Sequence, residues 1–246
     1  MNKKEIIEKL REDEHYYGEL GKKFISNSDI YTLLNNPLAM GVPQPYNINF
    51  LVGGYFHTAI LEPHKLKNFE VSKATSRNSK AYKEQLKESD AEMIIMQKEV
   101  DNLNAMITKV NENDLCRSLI YQDGNTFEEP NIGMVKDLYF KGKADILNHE
   151  EKLIVDLKTT SDLAKFKWSA SKYNYDSQAY IYKKLFGYDM VFIVIDKTTH
   201  QLGIYDCSEE FYTTGEAKVE QAAKVFKEIH ENEAFDAKQH IKHLTL

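Results

Sequence analysis

Residues 152–158, Lys-Leu-Ile-Val-Asp-Leu-Lys, read as a central strand by their apolar content, yet they carry a carboxylate and an ammonium that need a reason to be there. Side chains alternate across a strand, so Asp156 and Lys158 share one face, about 7 Å apart, while Val155 and Leu157 point the other way into the core. Asp145 lies as far before the Glu150–Glu151 bond as Asp156 lies after it. An antiparallel hairpin turning over residues 148–151 therefore sets the two aspartates directly opposite, with Cβ atoms about 5 Å apart. Like charges that close repel unless a cation joins them, and a hard divalent ion that takes oxygen ligands at about 2.1 Å meets the need. Mg²⁺ is the natural candidate, with Mn²⁺ as its substitute. Such an ion lowers the pKa of a bound water, and Lys158 beside it would orient that water and offset charge growing on a phosphate. That is phosphodiester hydrolysis. The same spacing also suits an Asp–Lys pair on the exposed face of an edge strand, and spacing alone leaves both open.

The surrounding pattern must position these groups. Helical spacing predicts helices over residues 2–11, 28–34 and 50–61, the last carrying His57, Ile60 and Leu61 on one face. A long helix is expected over 80–113 from the spacing of Met93, Met96, Val100, Leu103, Ile107 and Val110. After Asp123-Gly124-Asn125 the pattern turns to strands at 126–129, 134–140, 143–147 and 152–158. A helix at 177–186 ends at Gly187, strands follow at 190–196 and 202–205, and a helix over 209–231 comes last. This order predicts an α/β (α+β) protein with a mixed central sheet flanked by helices. The 246 residues read as one domain: a mostly helical part over 1–123, a catalytic sheet core over 124–207, and a C-terminal helix and tail over 208–246.

Composition narrows the chemistry. With only Cys116 and Cys207, neither a disulfide framework nor a four-cysteine metal site can be built, so any metal must take oxygen and nitrogen ligands. No apolar run approaches the roughly 20 residues that span a bilayer, and the N-terminus lacks a signal-peptide core, so a cytoplasmic protein without membrane contact is expected. GxxxxGK[ST], GxGxxG and GxSxG are absent, which removes support for ATPase, dinucleotide and acyl-transfer chemistry. The net charge of −6 argues against a general nucleic-acid coat, but residues 64–87 hold seven cations against two anions. Within that stretch Arg77, Lys80 and Lys83 are candidates to line a DNA channel or hold a terminal phosphate, and Thr159, Thr160 and Lys172 to touch the DNA backbone near the scissile bond. Glu129 is a weaker candidate for orienting an active-site group. His240 and His243 form an HxxH in a polar tail where zinc binding has little support.

The spacing Asp145-(x)10-Asp156-Leu157-Lys158 resembles the signature of the PD-(D/E)XK nuclease superfamily. The run DLKTTSDLAKFKWSASKYNYDSQAYIYKK is similar to its phage-exonuclease branch, the group of exodeoxyribonuclease VIII and lambda exonuclease. Upstream, GGYFHTAILEP resembles the helix that supplies a histidine in those enzymes, and together these blocks span about residues 26–186. Ala144 stands where the signature has proline, without touching a ligand, and exodeoxyribonuclease VIII is much longer, so the likeness is to its nuclease domain.

The resemblance implies a restriction-endonuclease-like core. It implies His57, Asp145, Asp156 and the Leu157 carbonyl as metal ligands, Lys158 as the water-orienting cation, and Gln178 and Tyr182 as the Gln-x-x-x-Tyr pair on one helix face. Without it, His57 reads rather as a histidine packed on an apolar helix face. The implied activity is a 5′-to-3′ exonuclease acting on double-stranded DNA ends, leaving 3′ overhangs for a single-strand annealing recombinase. The implied assembly is a ring-shaped homo-oligomer, trimer or tetramer. Two other readings stay open: an endonuclease of restriction or junction-resolving type on the same core, and a catalytically silent DNA-binding module, against which the retention of His57, Asp145, Asp156 and Lys158 speaks.

Overall fold

The computed structural model describes residues 1–43 and 45–236, so the HxxH of His240 and His243 lies outside the described residues. Four helices come first: α1 (Lys3–Leu10), α2 (Asp13–Tyr17), α3 (Asn27–Asn35) and α4 (Ile48–Leu61). A short strand β1 (Val71–Ser72), helix α5 (Lys80–Glu88), strand β2 (Ile95–Met96) and helices α6 (Gln97–Glu112) and α7 (Asp114–Tyr121) follow. The main sheet is built from β3 (Thr126–Val135), β4 (Leu138–Asn148), β5 (Leu153–Thr160), β6 (Asp189–Asp196) and β7 (Leu202–Asp206). Helices α8 (Phe166–Lys172) and α9 (Tyr175–Phe186) connect β5 to β6, and α10 (Glu209–His230) closes the described chain.

Strand order in this sheet follows chain order, β3-β4-β5-β6-β7; within it β5 and β6 are the parallel pair, because α8 and α9 return the chain to the same end of the sheet. The sheet is therefore mixed, as the element order predicts. Alternation divides its apolar residues between two helical layers. Ile154, Met190, Phe192 and Val194 enter a core shared with α3, α9 and α10, whereas Val155, Leu157, Val191, Ile193 and Ile195 enter one shared with α4, α6 and α7. Each such fully buried side chain contributes about 1.5–3 kcal/mol, which leaves little freedom for β5 to slip by one residue and exchange its faces. Among the described residues no helix is long and apolar enough to cross a membrane.

Two expectations fail locally. The predicted helix over 80–113 is two helices, because Ile95 and Met96 leave the helical path to pair with Val71 and Ser72. The break is held by side chains from a distance: the Tyr82 hydroxyl accepts from Ile94 N and donates to Ile94 O, both at 3.0 Å, and Glu99 takes the Met96 N–H at 3.0 Å while binding Arg77. The predicted strand at 134–140 contains a hairpin turn. Lys136 and Asp137 have φ of 50° and 63°, the paired left-handed residues of a two-residue turn, so β3 and β4 are longer than their apolar segments indicate. Helix α4 also starts earlier than residue 50, since the Asn47 side chain caps it at Asn49 N and Phe50 N, and Gly53-Gly54 sits inside the helix.

Candidate active site

Register brings three acidic residues level. Pairing of Phe127 with Ile146 and Glu129 with Ala144 sets Glu128 opposite Asp145, and pairing from Asn148–Leu153 to Ile146–Val155 sets Asp145 opposite Asp156, in the register the hairpin spacing predicts. The backbone ladder is interrupted on both sides of Asp145: Glu128 and Asp145 do not pair, and the β4–β5 pairing ends at Ile146–Val155. Glu128 has φ 50°, a left-handed conformation that costs a non-glycine residue about 1 kcal/mol. Along β4, Phe140 and Ala144 pack on the α9 side while Ile146, only two residues further, packs on the α4 side. A regular strand keeps positions i and i+2 on one face, so the backbone rolls at Asp145.

That roll separates the roles of the two aspartates. Asp145 turns to α4, where its Oδ2 lies 3.2 Å from His57 Nδ1 and accepts the Leu157 N–H at 2.8 Å. Asp156 stays on the α9 side, accepting Gln178 Nε2 at 2.6 Å on one oxygen and the Lys158 ammonium on the other. The Lys158 Nζ also sits 4.8 Å above the centre of the Tyr175 ring, one turn before Gln178 on α9. Tyr182 lies over β4 with its hydroxyl between Lys143 N and O, at 3.3 and 3.0 Å. Glycine at 142 permits this approach, since a Cβ there would stand 2.7 Å from the Tyr182 ring.

The electrostatics are those of a crowded anionic site. Burial pushes the Asp156 carboxyl up to about 6; Lys158 opposes the rise and Asp145 adds to it. Burial and Asp145 push Glu128 up to about 7. Burial also works against the charge on Asp145, but His57 and Lys158 outweigh it and hold the carboxyl below its ordinary value. Burial works against the His57 cation in turn, and Asp145 outweighs it, so the imidazole is raised. Lys158 is raised as well, its desolvation exceeded by the pull of Asp156 and Asp145.

Ligand atoms of His57, Glu128 and Asp145 lie within 4.8 Å of one another. One imidazole nitrogen and two carboxylate oxygens suit a divalent cation, and Glu128 accepts no hydrogen bond among the described residues, with the Lys143 ammonium 3.9 Å away, so its lone pairs are free for an ion. The donor set fits a metal. Glu128 is the residue that sequence reasoning missed: it singled out neighbouring Glu129, which instead forms a two-point pair with Arg11 at 2.6 Å for each contact. Strict alternation hides Glu128, because its left-handed backbone resets the face on which it points.

The site opens into a cleft along the first turns of α4. A cavity of about 440 Å³ holds His57, Lys158, Thr159, Thr160 and Tyr175, and a second of about 430 Å³ holds His57, Glu128, Asp145, Lys143 and Tyr182; Asn49, Phe50 and Gly53 border both. Thr159 and Thr160 thus stand beside the site. Lys172 is exposed at the end of α8, outside both cavities. Arg77 is bound to Glu99 by two contacts of 2.6 and 2.7 Å, and Lys80 and Lys83 are exposed on α5; none of the three borders the cleft.

The model of the PDDEXK-like domain of unknown function (DUF3799) matches residues 42–239. The chain belongs to this PDDEXK-like family. Its fold is similar to that of a candidate exonuclease from Eubacterium rectale, with a TM-score of 0.65 at 16% identity over 88% of this chain and 85% of that one. A phage-related exonuclease from Haemophilus somnus 129PT matches with a TM-score of 0.36 at 14% identity over 82% of this chain and 93% of that one. No protein of curated function matches in sequence. The PDDEXK-like core and the mixed sheet agree with the expected fold, and the acidic row at the meeting of β3, β4 and β5 is where its charged residues converge.

Proposed function

We propose that this chain is a divalent-metal-dependent nuclease that hydrolyses DNA phosphodiester bonds from duplex ends, 5′ to 3′, leaving 3′ single-stranded tails. The observation that carries the reading is the acidic row Glu128–Asp145–Asp156 across three adjacent strands, with His57 on one side and Lys158 on the other. The Asp156 and Glu128 carboxyls are raised despite Lys158 and Lys143 beside them, a cost of crowded carboxylates that a bound divalent ion relieves. His57, Glu128 and Asp145 would hold the ion, most simply Mg²⁺ with Mn²⁺ as substitute, and Asp156 and the Leu157 carbonyl complete the acidic side. When bound, such a cation supplies a water that ionises near neutrality and positive charge beside the phosphate.

The protein's own groups do the rest. Lys158, locked between Asp156 and the Tyr175 ring, presents a charged hydrogen-bond donor to an oxygen entering or developing charge at the scissile phosphate. Gln178 fixes the Asp156 carboxylate, and His57 and the Leu157 N–H fix that of Asp145, so both acids are oriented before substrate arrives. Thr159 at the cavity wall suits contact to the DNA backbone, whereas the Thr160 side chain is buried with its hydroxyl on the Asp162 backbone. The polarity, a ring-shaped homo-oligomer and an annealing protein as recipient of the tails are supported by the resemblance of the motif blocks to phage exonucleases.

Linear duplex DNA labelled at either end, beside closed circular duplex, tests the reading in Mg²⁺ and in EDTA. Loss of label from 5′ ends, an intact circle and no reaction in EDTA are expected. Cutting of the circle would replace an exonuclease by an endonuclease, and reaction unchanged by EDTA or in Asp156→Ala would remove the metal site.

A further inference from the structure

Helix α8 presents a surface that neither the core nor the acidic row uses. From Leu163 to Tyr175 the chain holds Lys165, Lys167 and Lys172 and no acidic residue. Phe166 and Ala170 are its buried anchors, while Trp168, the single tryptophan of the protein, is 73% exposed and Tyr173 is 60% exposed. Two large aromatic rings left mostly in water on a seven-residue helix and its C-cap are an uncommon use of apolar area.

Helix geometry orders these groups. At about 100° per residue, Lys172 lies between Trp168 and Ser169 around α8, and Lys165 and Tyr173 stand at its two ends as the capping residues. Ser169 and Tyr173 border the cavity that contains Lys158, and the Tyr173 ring centre is 6.1 Å from that of Tyr175, which covers the Lys158 ammonium. Lys172 forms no ion pair among the described residues, and Lys165 is joined at 2.9 Å to half-buried Asp162. A band of rings and ammonium groups thus leads out of the cleft across the helix surface.

We infer that α8 is a platform for single-stranded DNA, with unpaired bases stacked on Tyr173 and Trp168 and phosphates set against Lys172 and Lys165. The inference rests on the proposed nuclease reading and deepens it by assigning a path to one strand beside the site. Unpaired bases offer π-faces to rings without regard to sequence, and the phosphate chain complements the lysines. A duplex keeps its bases stacked internally and offers Trp168 no such face.

Trp168 is its own reporter, because no other tryptophan emits. Titration of the full chain in EDTA with an oligothymidylate of about twelve nucleotides should change its emission saturably, while a blunt hairpin duplex should not. Anisotropy of a labelled oligonucleotide should show about tenfold weaker binding for Trp168→Ala and for Tyr173→Ala, retention for Trp168→Phe, and a shallower salt dependence for Lys172→Glu. Melting temperatures should stay unchanged, since both rings lie mainly in solvent. Absent binding, wild-type affinity retained in both alanine variants, or equal response to the duplex would overturn the platform. Cleavage of linear duplex by wild-type protein in Mg²⁺ is read separately: cleavage without a Trp168 response removes the platform alone, and a Trp168 response without cleavage removes the nuclease reading alone.

Discussion

Asp176 and Asp156 are equally buried carboxylates on the two sides of α9's first turn, and their surroundings differ in their hydrogen-bond accounts. Asp176, fully buried at the start of α9, receives the Lys218 ammonium from α10 on both oxygens at 2.8 and 2.9 Å and its following N–H at 2.8 Å. The same ammonium is completed by Asn174 Oδ1 at 3.0 Å and Ser171 O at 2.6 Å. Gly215 lets α10 come this close, since a Cβ there would lie 2.1 Å from Asp176 O. Every charge in that cluster has a partner. In the acidic row, Glu128 accepts no hydrogen bond among the described residues and has only the Lys143 ammonium at 3.9 Å, Asp156 and Glu128 are raised to about 6 and about 7, and the strand ladder itself is interrupted. Complete pairing holds α9 and α10 together; incomplete pairing leaves acceptor oxygens available to the ion proposed above.

Substitutions separate the two clusters, and the largest effect falls on activity. Asp156→Ala should lower the cleavage rate by about 10³-fold or more in single-turnover assays, with a smaller loss of melting temperature than at Asp176, because burial already works against the Asp156 carboxylate. Asp176→Ala should do the reverse. Removing one partner of a buried pair costs about 3 kcal/mol, read in urea unfolding, while cleavage by the folded fraction persists. Equal losses of stability in the two variants would erase the distinction between them.

Cation binding comes next. Carboxyls with raised pKa favour the folded state at low pH, and that contribution is lost as pH rises through about 6 for Asp156 and about 7 for Glu128. The metal-free protein should therefore lose stability between pH 5.5 and pH 8 from these groups. Mn²⁺ at about 100 times its Kd should return about 2.7 kcal/mol at pH 8 and much less at pH 5.5, where protons compete, and thermal melts in Mn²⁺ and EDTA at both values would show it. Glu128→Gln should stabilise the metal-free protein at pH 8 by about 1 kcal/mol and reduce the Mn²⁺ response, an outcome opposite in sign to Asp176→Ala. The smallest effect is expected at Tyr175. Leucine there removes a cation–π contact of about 1 kcal/mol from Lys158 and should lower kcat several-fold without changing KM, whereas phenylalanine should restore it.

Much of this was legible in the chain. The alternation of residues 152–158 and the symmetric placement of Asp145 and Asp156 about one turn predict the β4–β5 register, and helical spacing places Gln178 one turn before Tyr182. The single long helix over 80–113 failed because Tyr82, Arg77 and Glu99 hold open a break that the apolar spacing does not register. Arg77 was a candidate for DNA, but its guanidinium is taken by Glu99, a partner 22 residues away that no local pattern reveals.

Local order alone determines which residues alternate, which repeat at helical spacing and where chain reversals fall, because those depend on neighbours within a few positions. It set Asp145, Asp156 and Lys158 on adjacent strands. Tertiary structure decided that Glu128 joins them in place of Glu129, that Asp145 turns to His57, and that Tyr175 covers Lys158. Each of these depends on a backbone irregularity or on an approach between distant elements, and the energies that select them arise only once the sheet and both helical layers are packed.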